Sequence, residues 1–259
     1  MNPELGTYKP IPFAAALLTA LWPGVVALNP VPASALSPST NSLLERARWA
    51  RLHALTGAVP LAGFVLVHLL VQASSFAGWH SHRRLSGALD GIPLAFAFEI
   101  LCFYLPLGVH VALGLMRVGR SDELRAGEWG GRVGRAVRSV SALVLLAFLI
   151  FHGWQFRWRL WSGQIDRADM FPELVASLSS TALGGLPLTA GVYLLGIAAA
   201  ALHGAESVYQ ACREWRMVSA ERQRTLGRIC ALAGVGLFLL GALIVIDVAT
   251  GSVVIRFPG

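Results

Sequence analysis

Residues 51–70 read RLHALTGAVPLAGFVLVHLL, and after Arg51 the run carries no Asp, Glu, Lys or Arg. Twenty residues of α-helix are about 30 Å long, the thickness of a bilayer's hydrocarbon core. The stretch therefore reads as a membrane crossing, with His53 at one edge and His68 inside it. Extended to residues 52–76 it is the first of five such spans; the others cover residues 92–116, 137–158, 186–212 and 229–249. Pro60, Pro106, Gly191, Gly196 and Gly241 interrupt them, which membrane helices tolerate where neighbours re-satisfy the backbone. Whole-chain composition agrees. Of 259 residues 55% are hydrophobic and 14% charged, with a mean hydropathy of +0.61, where soluble domains average about a quarter charged. An ordinary soluble enzyme is excluded. The expected fold is an all-α integral membrane protein, a five-helix bundle over residues 46–259 with an apolar N-terminal extension at residues 1–45.

A pI near 10.1 would suit a nucleic-acid binder, but the charge is placed otherwise. Lys9 is the single lysine; the other 20 basic residues are arginines that cluster between the spans, as anchors at a lipid surface do. Fourteen arginines precede span one or lie in the connections at residues 117–138 and 213–228, against six at the opposite end. The basic excess marks the cytoplasmic side of a bacterial cytoplasmic membrane, which puts both connections inside and the C-terminus outside. Tryptophans such as Trp49, Trp79, Trp158 and Trp215 sit near span ends, where interfacial anchors belong. Residues 11–28 are uncharged but broken at Pro23-Gly24. They read as an interfacial or re-entrant segment, with a secretory h-region ending near Ala33-Ser34-Ala35 or a sixth span as alternatives. Residues 29–42, rich in Pro and Ser, read as a linker.

Ionisable groups inside a bilayer are costly, so each is a functional candidate. Of seven histidines, four fall in four different spans: His68, His110, His152 and His203. At about 1.5 Å per residue, His68 and His152 lie ~24 and ~22 Å from the basic ends of their helices, and His110 and His203 only ~10 and ~14 Å. Two histidines per level, on different helices, suit a planar macrocycle clamped between two imidazoles. The constellation predicts two stacked b-type haems, each held non-covalently through its iron by a histidine pair. Cys102, Cys212 and Cys230 form no CxxC or CxxCH, so covalent haem, iron–sulfur and structural zinc lack ligands.

Eleven residues at 100° each return to nearly the same helix face. Gly57 precedes His68 by eleven and Ser141 precedes His152 by eleven, which puts a small residue on each ligand-bearing face at the inner level, where the other pair's macrocycle would need room; Gly196, Ala199, Ala200 and Gly204 leave similar space around His203. Glu99 lies eleven residues outward of His110, at the level of the outer pair, where its carboxyl is a candidate for proton exchange with a quinone. Glu206 reads as the partner of a loop arginine and Asp247 as solvated. His80, His82, Arg84 and Asp90, in the loop between spans one and two, are read as solvated but placed to bound a quinone pocket. His53 beside Arg51 reads as interfacial, within reach of a haem propionate.

The segment at residues 51–70 and the motif FHGWQFRW at residues 151–158 resemble the first and third helices of a known family, and successive histidine spacings of 42, 42 and 51 also suit it. It is the cytochrome b membrane anchor of succinate:quinone oxidoreductases and quinol:fumarate reductases, of the single-subunit type with five helices and two haems. The resemblance covers residues 46–249. It implies His68 and His152 as ligands of the distal haem, and His110 and His203 of the proximal one. It further implies a flavoprotein subunit and an iron–sulfur subunit docked on the cytoplasmic face, and a membrane quinone, menaquinone or ubiquinone, as electron acceptor or donor. The expected function is that of a succinate dehydrogenase anchor passing electrons through proximal and distal haem, with no dicarboxylate chemistry on this chain. A position that some members fill with glutamate, two before the fourth-span histidine, is Ala201 here, so that proton route is not implied. Rival readings are a cytochrome b anchor of a hydrogenase or formate dehydrogenase, or a haem-free transporter or scaffold.

Overall fold

The computed structural model describes residues 38–90, 93–118, 131–181, 185 and 187–251. These form an all-helical bundle with five helices long and apolar enough to cross a membrane: Ala47–Ala77, Phe96–Met116, Ala136–Trp161, Leu188–Glu214 and Ala220–Thr250. Their side chains face outward to a degree no soluble protein allows, with Leu66, Leu70, Leu101, Ile150, Leu195 and Leu232 all exposed. Lipid is the solvent such a surface needs.

The fourth span is the hub. It packs on the fifth, third and first, while the second lies against the first. Small residues permit the closest approach: a Cβ on Gly234 would stand 3.1 Å from the Ala201 carbonyl oxygen and from the Ala205 methyl, and one on Gly241 would meet Ile197. At the end away from the arginine-rich connections, the spans close over a core of Phe156, Phe171, Leu178, Tyr193, Ile244 and Val248.

Two spans are locally widened into π-helix. In the second, the π segment Ile100–Tyr104 ends two residues before Pro106. Proline has no N–H to give the carbonyl one turn back and its ring crowds that turn, so widening relieves the mismatch. In the third, Gly153–Trp158 follows His152 immediately and turns two successive residues, Gln155 and Phe156, inward.

Three expectations change. The first helix begins at Pro38, so the end of the expected linker is helical. The loop between spans one and two contains the helix Trp79–Asp90, and the longer one between spans three and four contains the helix Met170–Ser179. The fifth span starts nine residues earlier than its apolar core, because Arg222, Arg224 and Arg228 ride exposed on its first turns. The apolar segment at residues 11–28 lies outside the described residues.

Candidate functional site

The four intramembrane histidines meet as two pairs at two levels. His68 and His152 have ring centroids 5.8 Å apart with planes at 81°; His110 and His203 are 6.1 Å apart at 76°. An imidazole nitrogen binds a first-row metal at about 2 Å, and the ring centroid lies about 1.1 Å behind that nitrogen, so two imidazoles meeting one metal ion from opposite sides stand ~6 Å apart. Both separations fit. Among the described residues no three His, Cys, Asp or Glu side chains gather into a metal-holding group. The donor set is thus one of paired imidazoles, which suits a metal whose remaining ligands come from a macrocycle.

At the level nearer the basic end, spans one and two interlock. The His110 Nδ1 lies 2.9 Å from the His53 carbonyl oxygen, and since a carbonyl only accepts, Nδ1 donates and Nε2 keeps its lone pair. The His53 ring stacks on His110 at 4.1 Å. The fit is reciprocal: a Cβ on Gly57 would collide with the His110 ring, and one on Gly114 would stand 3.2 Å from His53 Nε2. The space expected at Gly57 for a macrocycle is thus taken by the His110 imidazole itself. On the facing span, buried Ser141 is the small residue at this level, its hydroxyl turned back onto the Arg138 carbonyl at 3.0 Å. The buried Nδ1 of His203 has no hydrogen-bond partner among the described residues.

At the other level, His152 Nδ1 lies 3.0 Å from the Tyr193 hydroxyl, which donates at 2.9 Å to Gln155 Oε1; Gln155 Nε2 donates at 2.6 Å to Ser177 of the helix Met170–Ser179. Phe64 stacks on His68, and Phe148 on His152. The room expected at Gly196 is filled by the Phe148 ring.

The acidic residues differ from expectation in two cases of three. Glu99 forms an ion pair with Arg157, which also lies over the Trp161 ring at 5.6 Å. Glu99 is therefore first of all a tie between spans two and three, its carboxylate met by the Arg157 guanidinium. Asp247 is not solvated but 3% exposed, and neither carboxylate oxygen has a partner among the described residues. Glu206 behaves as expected, 3.1 Å from Arg138.

In the helix Trp79–Asp90, His80 and Arg84 are exposed, and Arg84 borders an open cavity of about 420 Å³ with Ser74, Ser81 and Leu85. Asp90 ends that helix, and its side chain lies outside the described set. His82 is no solvated loop residue: it is 7% exposed, packs on Phe171 with ring centroids 4.4 Å apart, and its Nε2 has no partner among the described residues. Burial, and after it the charge His68 would carry, push the His82 imidazole down to about 4. It is therefore neutral at physiological pH. Tyr193 and Gln155 are not among the expected site residues, although a tyrosine and a glutamine within apolar spans are signals of their own.

The sequence is similar to the succinate dehydrogenase cytochrome b558 subunit of Bacillus subtilis (strain 168), 24% identical over 184 residues that cover 70% of this chain and 86% of that one. No family model matches the sequence, and no solved structure matches it. The similarity agrees with the resemblance carried by the motifs of the first and third spans.

Proposed function

We propose that this chain is the cytochrome b membrane anchor of a succinate:quinone oxidoreductase, passing electrons between an iron–sulfur subunit and a membrane quinone, menaquinone or ubiquinone, in either direction. The observation that carries the proposal is the convergence of four histidines from four spans into two facing pairs, each spaced for one metal ion. A relative named as a succinate dehydrogenase cytochrome b subunit supports it.

His68 with His152, and His110 with His203, are the residues that would hold two b-type haems. Haem b held by these residues would supply reversible one-electron chemistry. The chain's own work is to bind and orient. Backbone and tyrosine contacts fix the Nδ1 side of His110 and His152, so that Nε2 is presented, and Gly57 admits His110 against span one. His82, neutral and with an Nε2 that has no partner among the described residues, is the candidate to hydrogen-bond a quinone beside the His68–His152 level; His80, Arg84 and Asp90 of the same helix remain candidates beside it, and Glu99 would serve through its tie to Arg157. The arginine-rich end would face the cytoplasm and receive the iron–sulfur and flavoprotein subunits, with the C-terminus outside and lipid around the bundle.

Haem stoichiometry tests the proposal. The purified chain should carry two b-type haems in a reduced-minus-oxidised spectrum, and His110→Ala should reduce the count to one. A chain without a b-type band would refute it, as would an unchanged spectrum in the variant.

A further inference from the structure

The two levels differ in what stands behind the ligand. His110 leans on a main-chain carbonyl, whereas His152 leans on a side chain that a second side chain holds in place. Tyr193 and Gln155 are 6% and 7% exposed, so water does not compete for their hydrogen bonds.

We infer that Tyr193, held by Gln155, is a positioning residue that sets the donor strength of His152 and hence the potential of the haem at that level. The inference rests on the ligand assignment proposed above. Proton bookkeeping leaves one consistent arrangement. If His152 ligates through Nε2, its ring proton is on Nδ1, so the Tyr193 oxygen accepts there. The single Tyr193 proton then goes to Gln155 Oε1, and the Gln155 amide nitrogen faces Ser177, which is the arrangement observed. Were the amide reversed, Tyr193 would donate to Nδ1 and put the ring proton on Nε2, where no metal could bind.

The direction of the effect follows. By drawing on the Tyr193 proton, the Gln155 carbonyl makes the phenol oxygen a better acceptor, and pull on the Nδ1 proton strengthens Nε2 as a donor. A stronger donor favours oxidised over reduced iron and lowers the potential. His110 supplies the internal control, because no side-chain substitution removes a backbone carbonyl.

Potentiometric titration of the purified complex, followed at the haem bands, tests this. Tyr193→Phe should keep both haems and move one midpoint potential in the positive direction while the other stays. Gln155→Leu should move the same haem in the same direction by less. The double variant should match Tyr193→Phe alone, since Gln155 acts through Tyr193. Unmoved potentials, equal movement of both haems, or additive shifts in the double variant would overturn the inference, because a merely structural role predicts one of these. If Tyr193→Phe loses haem, Gln155→Leu decides by the same sign. A wild-type chain without haem would instead overturn the functional reading on which this rests.

Discussion

Three titratable side chains outside the histidine pairs show how this chain accommodates charge at its non-basic end. Asp247 is buried without a partner among the described residues, Glu99 is tied to Arg157, and His82 is held neutral by burial. For His82 the consequence depends on pH. Its value in the unfolded chain is the ordinary 6.5, so the unfolded state takes up this proton first as pH falls. The stability that depends on neutral His82 is complete above pH 6.5 and is lost progressively toward pH 4. Melting of the solubilised protein should fall between pH 7 and pH 5, and His82→Gln should shrink that fall; an equal fall in both proteins would put His82 in water. Glu99 gives a second expectation at this scale. Glu99→Gln leaves the Arg157 guanidinium without its carboxylate, which should cost about 1–3 kcal/mol of stability, and Glu99→Gln with Arg157→Gln should recover most of it. Slower quinone turnover with unchanged melting would assign the carboxyl to proton exchange instead.

At the level of helices, close approach is concentrated at a few glycines. Gly57 and Gly114 admit His110 and His53 into one interlocked contact, whereas a side chain at Gly63, one and a half turns along the same helix, would meet nothing within 4 Å. Gly57→Leu should therefore take one haem, that of His110 and His203, and leave the other, while Gly63→Ala keeps two; haem counting on purified protein distinguishes them. The eleven-residue phase of a helix makes the ligand-bearing face legible in the sequence, which is why Gly57 stood out. Phase says nothing of what a neighbouring helix brings to that face. That is why the Phe148 ring at Gly196 and the Tyr193 hydroxyl at His152 became visible only with the spans assembled. Short surface helices escape for a related reason: Trp79–Asp90 and Met170–Ser179 are set among apolar spans and reveal their buried faces only by what they cover.

For the molecule as a whole, composition decides more than any motif. An apolar chain with few charges commits to five crossings, and those crossings appear with bounds that differ mainly where charged turns continue a helix beyond the apolar core. Charge asymmetry then distinguishes the two ends. Arg222, Arg224 and Arg228 are exposed on the first turns of the fifth span, at the same end as the His110–His203 level. Soluble partners that deliver or receive electrons there would meet this basic surface first, and complementary charge governs encounter and its salt dependence more than it governs the fold. Reversing all three to glutamate should lower the yield of co-purified flavoprotein and iron–sulfur subunits at least tenfold and leave both haem bands in place. Arg83→Glu, an exposed arginine at the opposite end, should change neither. Equal loss from both variants would mean that charge acts on membrane insertion, and undiminished co-purification from the triple variant would move the docking face away from the basic end.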